Sequence, residues 1–189
     1  MHFLGISGSL RRQSLNTAAL RACTKLLPSG VTMDLADISA IPLYNEEIRE
    51  QGLPAPVQTL REQILKADAL VIATPEYNYS VPGVLKNAID WASRPPSQPF
   101  EGKPIALISA SPGGFGGARA QYHLRQVFIY LNGLILNRPE AMISAAHTKF
   151  DAQGELTDGA AADQLKALLA ALADWTRLIK AGQAATSEG

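Results

Sequence analysis

The chain has 189 residues, which is the size of one domain and enough to bury a hydrophobic core. Its 17 basic and 17 acidic side chains cancel and form no basic stripe, so the composition argues against a nucleic-acid partner. The single cysteine, Cys23, cannot form an internal disulfide, and no apolar run approaches the roughly 20 residues that cross a bilayer. We therefore expect an unprocessed, soluble protein of the cytoplasm with no membrane insertion.

Short apolar runs alternate with segments of helical periodicity along most of the chain. The predicted strands cover residues 2–7, 31–36, 69–74, 105–109 and part of 134–143. The predicted helix faces are marked by apolar residues within 15–26, 57–64, 84–92, 120–131 and 165–179. Segment 38–56 contains Pro42, Gly52, Pro54 and Pro56 and is predicted to be an exposed loop.

This alternation predicts an α/β fold, in which helices cover both faces of an open and mostly parallel sheet of five strands. We expect one domain over residues 1–182 and a flexible C-terminal tail over residues 183–189. Ligands of such sheets bind at the carboxyl ends of the strands. The functional site is therefore predicted in the loops after strands one, three and four.

The loop after the first strand, residues 8–17, carries hydroxyl, amide and guanidinium groups and leads directly into a helix. Unpaired N–H groups and the helix dipole converge at a helix N-terminus, where they favour a phosphate group. The loop contains neither Gly-x-Gly-x-x-Gly nor a Walker sequence, which disfavours the usual dinucleotide and triphosphate sites. The pattern predicts a cofactor with a simpler phosphate.

The other two loops are suited to a planar ring. Residues 74–83 combine aromatic side chains with a backbone restrained by Pro75 and Pro82. Residues 109–117 are rich in glycine, which lets backbone N–H groups approach a ligand without interference from side chains. A phosphate at one end and a flat heterocycle at the other are the features of flavin mononucleotide, FMN.

Three runs of residues carry a family resemblance. They are Gly8-Ser9-Leu10-Arg11 with Ser14 and Asn16, the run from Pro75 to Gly83 followed by Leu85 to Trp91, and the run from Gly116 to Arg119 with Tyr122 to Arg125. In this order and spacing the chain resembles the NADPH-dependent FMN reductase family, and within it the soluble chromate and quinone reductases. The resemblance implies a flavodoxin-like three-layer α/β/α sandwich, bound FMN, NADPH or NADH as co-substrate, and a homo-oligomer, either a dimer or a homotetramer.

The resemblance also implies which residues bind FMN. Those of the phosphate loop are Ser9, Arg11, Ser14, Leu15, Asn16 and Thr17, and those beside the isoalloxazine ring are Pro75, Glu76, Tyr77, Asn78, Ser111 and Gly113. Two simpler roles stay open: Ser14 or Asn16 caps the helix, and Glu76 tethers its own loop or a neighbouring chain. No catalytic side chain is assigned, because the hydride chemistry belongs to the flavin.

The sequence also bears on metal binding, hydrolysis and electron transfer. No two histidines have the i, i+4 spacing of a helical metal site, so no metal is predicted, and no nucleophile elbow is present. A flavodoxin-type electron carrier or an FMN-binding sensor is the alternative to the reductase, but the zero net charge disfavours an acidic carrier. Quinones are the favoured acceptor, with chromate, azo compounds and free flavin left open, because an open site above a flavin discriminates poorly among acceptors. Residues 112–115, which border the ring, depart from the family pattern. Arg119, Tyr122 and Glu140 are read as a subunit-interface network.

Overall fold

The computed structural model describes residues 1–187, and the last two residues lie outside the described part. The strands are β1 (His2–Ser7), β2 (Thr32–Ala36), β3 (Ala69–Ala73), β4 (Pro104–Ala110), β5 (Leu134–Ile135) and β6 (Ala141–Ile143). They pair in parallel in the order β2-β1-β3-β4-β5, and β6 also pairs with β4. This is the flavodoxin-like strand order, so the predicted fold class is confirmed.

The central strands are buried on both faces. Every residue of β3 and β4 is buried, which explains why β3 reads as a continuous apolar run and β4 as an apolar run with only Ser109 in it, rather than as alternating patterns. The edge strand β2 is only partly covered: Thr32, Asp34 and Leu35 are exposed, and Met33 and Ala36 are half-buried. Because they are buried on both sides, β3 and β4 were the easiest strands to predict from the sequence.

Helices cover the two faces of the sheet. They are α1 (Leu15–Lys25), α2 (Glu46–Glu50), α3 (Ala55–Lys66), α4 (Gly83–Ala92), α5 (Ala118–Tyr130) and α6 (Gly159–Ser187). One hydrophobic core joins α1 and α6 to the sheet, and a second joins α3, α4 and α5 to its opposite face. Among residues 1–187, no helix is long and apolar enough to cross a bilayer.

Three details differ from the prediction. The fifth strand is split into β5 and β6, which both extend along β4, and Pro139 lies in the connection, where it has no N–H to donate to a sheet. The predicted loop 38–56 contains the short helix α2, which Asn45 caps by accepting from the N–H of Glu47. Helix α6 continues to Ser187, past Gly182, because alanine and glutamine favour the helix there. The flexibility of residues 183–189 stays a prediction, and residues 188–189 are not described.

Candidate active site

The loops after β1, β3 and β4 meet at one edge of the sheet and enclose a cavity of about 300 Å³. Its lining residues are Ser9, Arg11, Ser14, Leu15, Asn16, Pro75, Glu76, Tyr77, Ala110, Ser111 and Pro112. Most of the predicted site residues are therefore brought together. Ala110 and Pro112 also line the cavity, although neither is among the predicted FMN-binding residues.

Three predicted residues, Thr17, Asn78 and Gly113, do not line this cavity. The Thr17 hydroxyl lies 2.7 Å from the hydroxyl of Ser7 and so joins α1 to the end of β1. The Gly113 N–H donates to Ser111 Oγ at 3.2 Å. Asn78 is at the tip of a tight turn in the second loop. The polar groups of Thr17 and Gly113 thus contact the protein itself.

The first loop ends in a capped helix with free donors. Ser14 has an extended backbone, and its Oγ accepts from the N–H of Thr17 at 3.3 Å. Ser14 therefore caps α1, which was one of its two predicted roles. Among residues 1–187, no protein acceptor faces the N–H groups of Leu15 and Asn16. Arg11 donates one bond to the carbonyl of Gln13 at 2.7 Å, which leaves most of its five N–H groups for a ligand. This donor set is suited to a phosphate.

The side chain of Asn16 links the first loop to the third. Its Nδ2 donates to the carbonyl of Ala110, and its Oδ1 accepts from the N–H of Ala110, both at 2.9 Å. The side chain is buried, with 3% of the residue exposed. Because both ends of the carboxamide are engaged, Asn16 neither caps α1 nor points its polar atoms at a ligand. It positions the helix N-terminus against the end of β4.

The second loop is a two-residue hairpin that presents aromatic rings. The N–H of Tyr77 donates to the carbonyl of Ser80, and the N–H of Ser80 donates back, both at 3.0 Å. Between them, Asn78 and Tyr79 have φ angles of 50° and 68°, as a type I′ turn requires. A tyrosine is uncommon in this left-handed conformation, so surrounding contacts must hold it there. The turn leaves Tyr77 and Tyr79 exposed.

Glu76 tethers the second loop to helix α5. Its carboxylate accepts from the N–H and Nη1 of Arg119, at 3.0 and 3.1 Å, and from the N–H of Ala120 at 3.4 Å. A carboxylate at a helix N-terminus is favoured by the helix dipole. Here it also offsets the unfavourable placement of the cationic Arg119 side chain in the first turn of α5. Within one chain, Glu76 therefore tethers the second loop to α5, which was one of its predicted roles.

Arg119 is held between two aromatic rings. Its guanidinium lies 4.0 Å from the centre of the Tyr79 ring and 4.3 Å from that of Phe115. Within the described chain Arg119 therefore contacts the second and third loops rather than Glu140, which lies 3.9 Å from Arg125 instead. The stack explains how Tyr79 is retained in its unusual backbone conformation. No sequence signal pointed to this arrangement, since it depends on how the loops fold back.

The third loop packs against the protein through its last two glycines. A Cβ at Gly116 would lie 2.9 Å from the backbone of Met142, and one at Gly117 would lie 2.8 Å from Ser109 Cβ. Both glycines also have positive φ angles. The sequence suggested that glycines here allow a ligand to approach, but these two are required by packing of the loop on β4 and β6.

Comparison with known proteins assigns the chain to a family. The model of the NADPH-dependent FMN reductase family matches residues 1–148. The chain belongs to the NADPH-dependent FMN reductase family. It is 58% identical over 177 residues to the NAD(P)H-dependent FMN reductase of Pseudomonas aeruginosa, covering 94% of this chain and 96% of that one. It is 46% identical over 176 residues to the quinone reductase of Escherichia coli K12, covering 92% and 94%.

Membership of this family also agrees with the fold. The flavoenzyme NAD(P)H:(acceptor) oxidoreductase of Paracoccus denitrificans superposes with a TM-score of 0.85 at 36% identity, over 93% of this chain and 97% of that one. The match spans nearly all of both chains, so the site loops lie within the shared fold. The resemblance inferred from three sequence runs is therefore confirmed at the level of family and fold.

Proposed function

We propose that this member of the NADPH-dependent FMN reductase family is an FMN-dependent NAD(P)H oxidoreductase that reduces quinones. The observation that carries the proposal is one continuous cavity at the carboxyl edge of the sheet, which joins the phosphate-type donors of the first loop to the second and third loops. The family match and the similarity to the E. coli quinone reductase support this reading over an electron carrier or a sensor.

The residues of the first loop fit the phosphate of FMN. Ser9 and Arg11 line the cavity at the N-terminus of α1, beside the free N–H groups of Leu15 and Asn16. A phosphate is stabilised by such N–H groups and by the helix dipole, and a guanidinium keeps its charge at every working pH. We therefore assign Arg11 as the main phosphate contact. Asn16 contributes through its backbone, because its side chain is bonded to Ala110.

The opposite end of the cavity is assigned to the isoalloxazine ring, along Pro75 to Tyr77 and Ser111. FMN supplies the redox chemistry when bound, since it takes hydride from a reduced nicotinamide and passes it to an acceptor. The chain's own contribution is rigid placement. The Asn16 to Ala110 bonds and the Glu76 to Arg119 tether hold the three loops in one arrangement.

The surroundings of the cavity are open and aromatic, which suits exchange of two partners. Tyr77 lines the cavity with 52% of its surface exposed, and Phe115 nearby has 67% exposed. Planar compounds such as quinones can pack on these rings. Because one opening serves both the dinucleotide and the acceptor, we expect ping-pong kinetics. Competition among benzoquinone, chromate, an azo dye and free flavin would rank the acceptors by kcat/KM.

We also propose that the protein works as a homo-oligomer in the cytoplasm. Large apolar side chains are exposed around and beyond the cavity, among them Tyr79, Tyr122, Ile129 and Tyr130. Association of copies would cover such side chains. Light scattering coupled to gel filtration gives the mass, which distinguishes a monomer, a dimer and a tetramer. Cell fractionation tests the location.

The proposed function is tested by FMN binding followed by anaerobic stopped-flow mixing with NADPH. We expect the purified protein to retain FMN and its flavin absorbance to bleach rapidly on mixing. A protein that binds FMN but bleaches very slowly is a carrier or a sensor. A protein that takes up no FMN contradicts the proposal altogether.

A further inference from the structure

A second cavity lies beside the cavity assigned to FMN. It has a volume of about 450 Å³ and is formed by the start of α1 and by the loop 147–154 that precedes α6. It shares Arg11, Ser14 and Leu15 with the first cavity, so the two spaces are direct neighbours. We call it the arginine groove, because Arg11, Arg12 and Arg21 line it.

Two of these arginines are not used by the protein itself. Within residues 1–187, the guanidinium groups of Arg12 and Arg21 form no ion pair and no hydrogen bond, and both residues are exposed. The carboxylate that lines the groove, Asp151, already accepts from the N–H groups of Gln153 and Glu155, at 2.9 and 2.8 Å. The groove thus has a surplus of positive charge and of hydrogen-bond donors, which favours an anionic ligand.

The groove also has an apolar part. Leu15, Ala18 and Phe150 line it, and Ala18 and Phe150 are buried members of the core below. Such a surface suits a planar organic group, and a guanidinium can stack on the face of the same group. Donors for an anion beside an apolar surface match a phosphorylated nucleoside better than an inorganic ion.

We infer that the arginine groove binds the 2′-phosphorylated adenosine end of NADPH, with Arg12 and Arg21 donating to the 2′-phosphate. The inference rests on the proposed function, which requires a reduced dinucleotide next to the FMN cavity. NADH differs from NADPH only in lacking this phosphate. Two guanidinium groups that have no partner within residues 1–187 can bind the phosphate and so discriminate between the two dinucleotides. The FMN phosphate has its own donors in the first loop and does not compete for Arg12 or Arg21. The groove therefore selects NADPH.

Direct binding tests the site without turnover. The FMN-saturated protein and its Arg12→Gln/Arg21→Gln double variant are titrated calorimetrically with adenosine 2′,5′-bisphosphate. We expect Kd to rise by about tenfold or more, the equivalent of one charge-assisted hydrogen bond. Adenosine 5′-monophosphate, which lacks the 2′-phosphate, should bind both proteins equally. The matched control is Arg177→Gln, an exposed arginine of α6 whose ion pair is with Asp174, and it should leave the Kd unchanged.

Steady-state kinetics provide the second readout. The double variant should raise KM for NADPH about tenfold, by the same equivalence, while KM for NADH and kcat stay at the parent values. An equal Kd for the bisphosphate in parent and double variant, or an equal rise of KM for both dinucleotides, would overturn the inference. So would inorganic phosphate that binds the parent as tightly as the bisphosphate. Quinone reduction driven by NADH would show that the proposed function stands even if the groove does not bind NADPH.

Discussion

Replacing Asn16 by alanine tests how the three loops are held together. The carboxamide of Asn16 forms two hydrogen bonds of 2.9 Å with the backbone of Ala110, at the point where β4 ends and the third loop begins. Both residues are buried, so water cannot replace the lost side chain at low cost. Asn16→Ala therefore removes two bonds and leaves a buried N–H and a buried carbonyl without partners.

The expected loss follows from these contacts. A neutral hydrogen bond contributes about 1 kcal/mol net, and an orphaned buried group costs about 1–3 kcal/mol, so we expect unfolding free energy to fall by about 2–4 kcal/mol. Asn16→Asp keeps the shape but places a carboxylate oxygen against the carbonyl of Ala110. At neutral pH this variant should lose at least as much stability. A domain with a typical stability of about 5–15 kcal/mol still folds with either change.

Urea unfolding followed by circular dichroism measures the effect. The matched control is Asn45→Ala, which removes an exposed cap of the short helix α2 and should cost no more than about 1 kcal/mol. FMN affinity should fall in Asn16→Ala as well, because the third loop loses its support. A loss of stability below that of the Asn45 control would refute the structural role given to Asn16.

Three further predictions concern single residues. Glu76→Gln keeps the shape of the tether, but glutamine has one acceptor oxygen where Glu76 uses two, so at least one bond to Arg119 is lost together with the ion pair, which should lower the free energy of unfolding by about 1–3 kcal/mol in urea titrations. Arg11→Ala should weaken FMN binding by about 1.5–3 kcal/mol, the contribution of a charged hydrogen bond, as measured by equilibrium titration. Burial raises the pKa of the Cys23 thiol to about 12, so at pH 8 it is protonated as well as inaccessible, and Ellman's reagent should label it only after unfolding.

Each of these predictions has an outcome that contradicts it. Asp90→Asn, in an exposed ion pair with Lys86, is the control for Glu76→Gln and should change stability by less than about 0.5 kcal/mol; an equal effect of the two variants would deny the tether any special role. Unchanged FMN affinity would remove Arg11 from the phosphate site. Complete labelling of Cys23 in the native protein would show that its helix opens readily.

The sheet and the position of the site could be predicted because they depend on local patterns. Residues 69–73 and 104–110 are buried on both faces and so read as apolar runs, with Ser109 as the one polar residue among them. Parallel strands place their carboxyl ends at one edge, which is why the loops after strands one, three and four meet there. The division of the fifth strand could not be predicted, because β5 and β6 are too short to show a periodic pattern of apolar residues. They are defined by their pairing with β4.

Individual side-chain roles could not be read from the sequence, because their partners are distant along the chain. Asn16 lies 94 residues before Ala110, and its position at a helix start is equally typical of a cap. Arg119 lies 43 residues after Glu76, and only the folded loops bring it between the Tyr79 and Phe115 rings. The types of residue were informative, whereas their contacts are set by the tertiary structure.

The most direct test of the enzyme assignment is an anaerobic titration of the FMN-loaded protein with NADPH, followed by benzoquinone, while the flavin spectrum is recorded. We predict that one equivalent of NADPH removes the oxidised spectrum and that one equivalent of benzoquinone restores it in full. A flavin that stays oxidised in NADPH, or one that is reduced but not reoxidised by benzoquinone, would contradict an NADPH:quinone reductase.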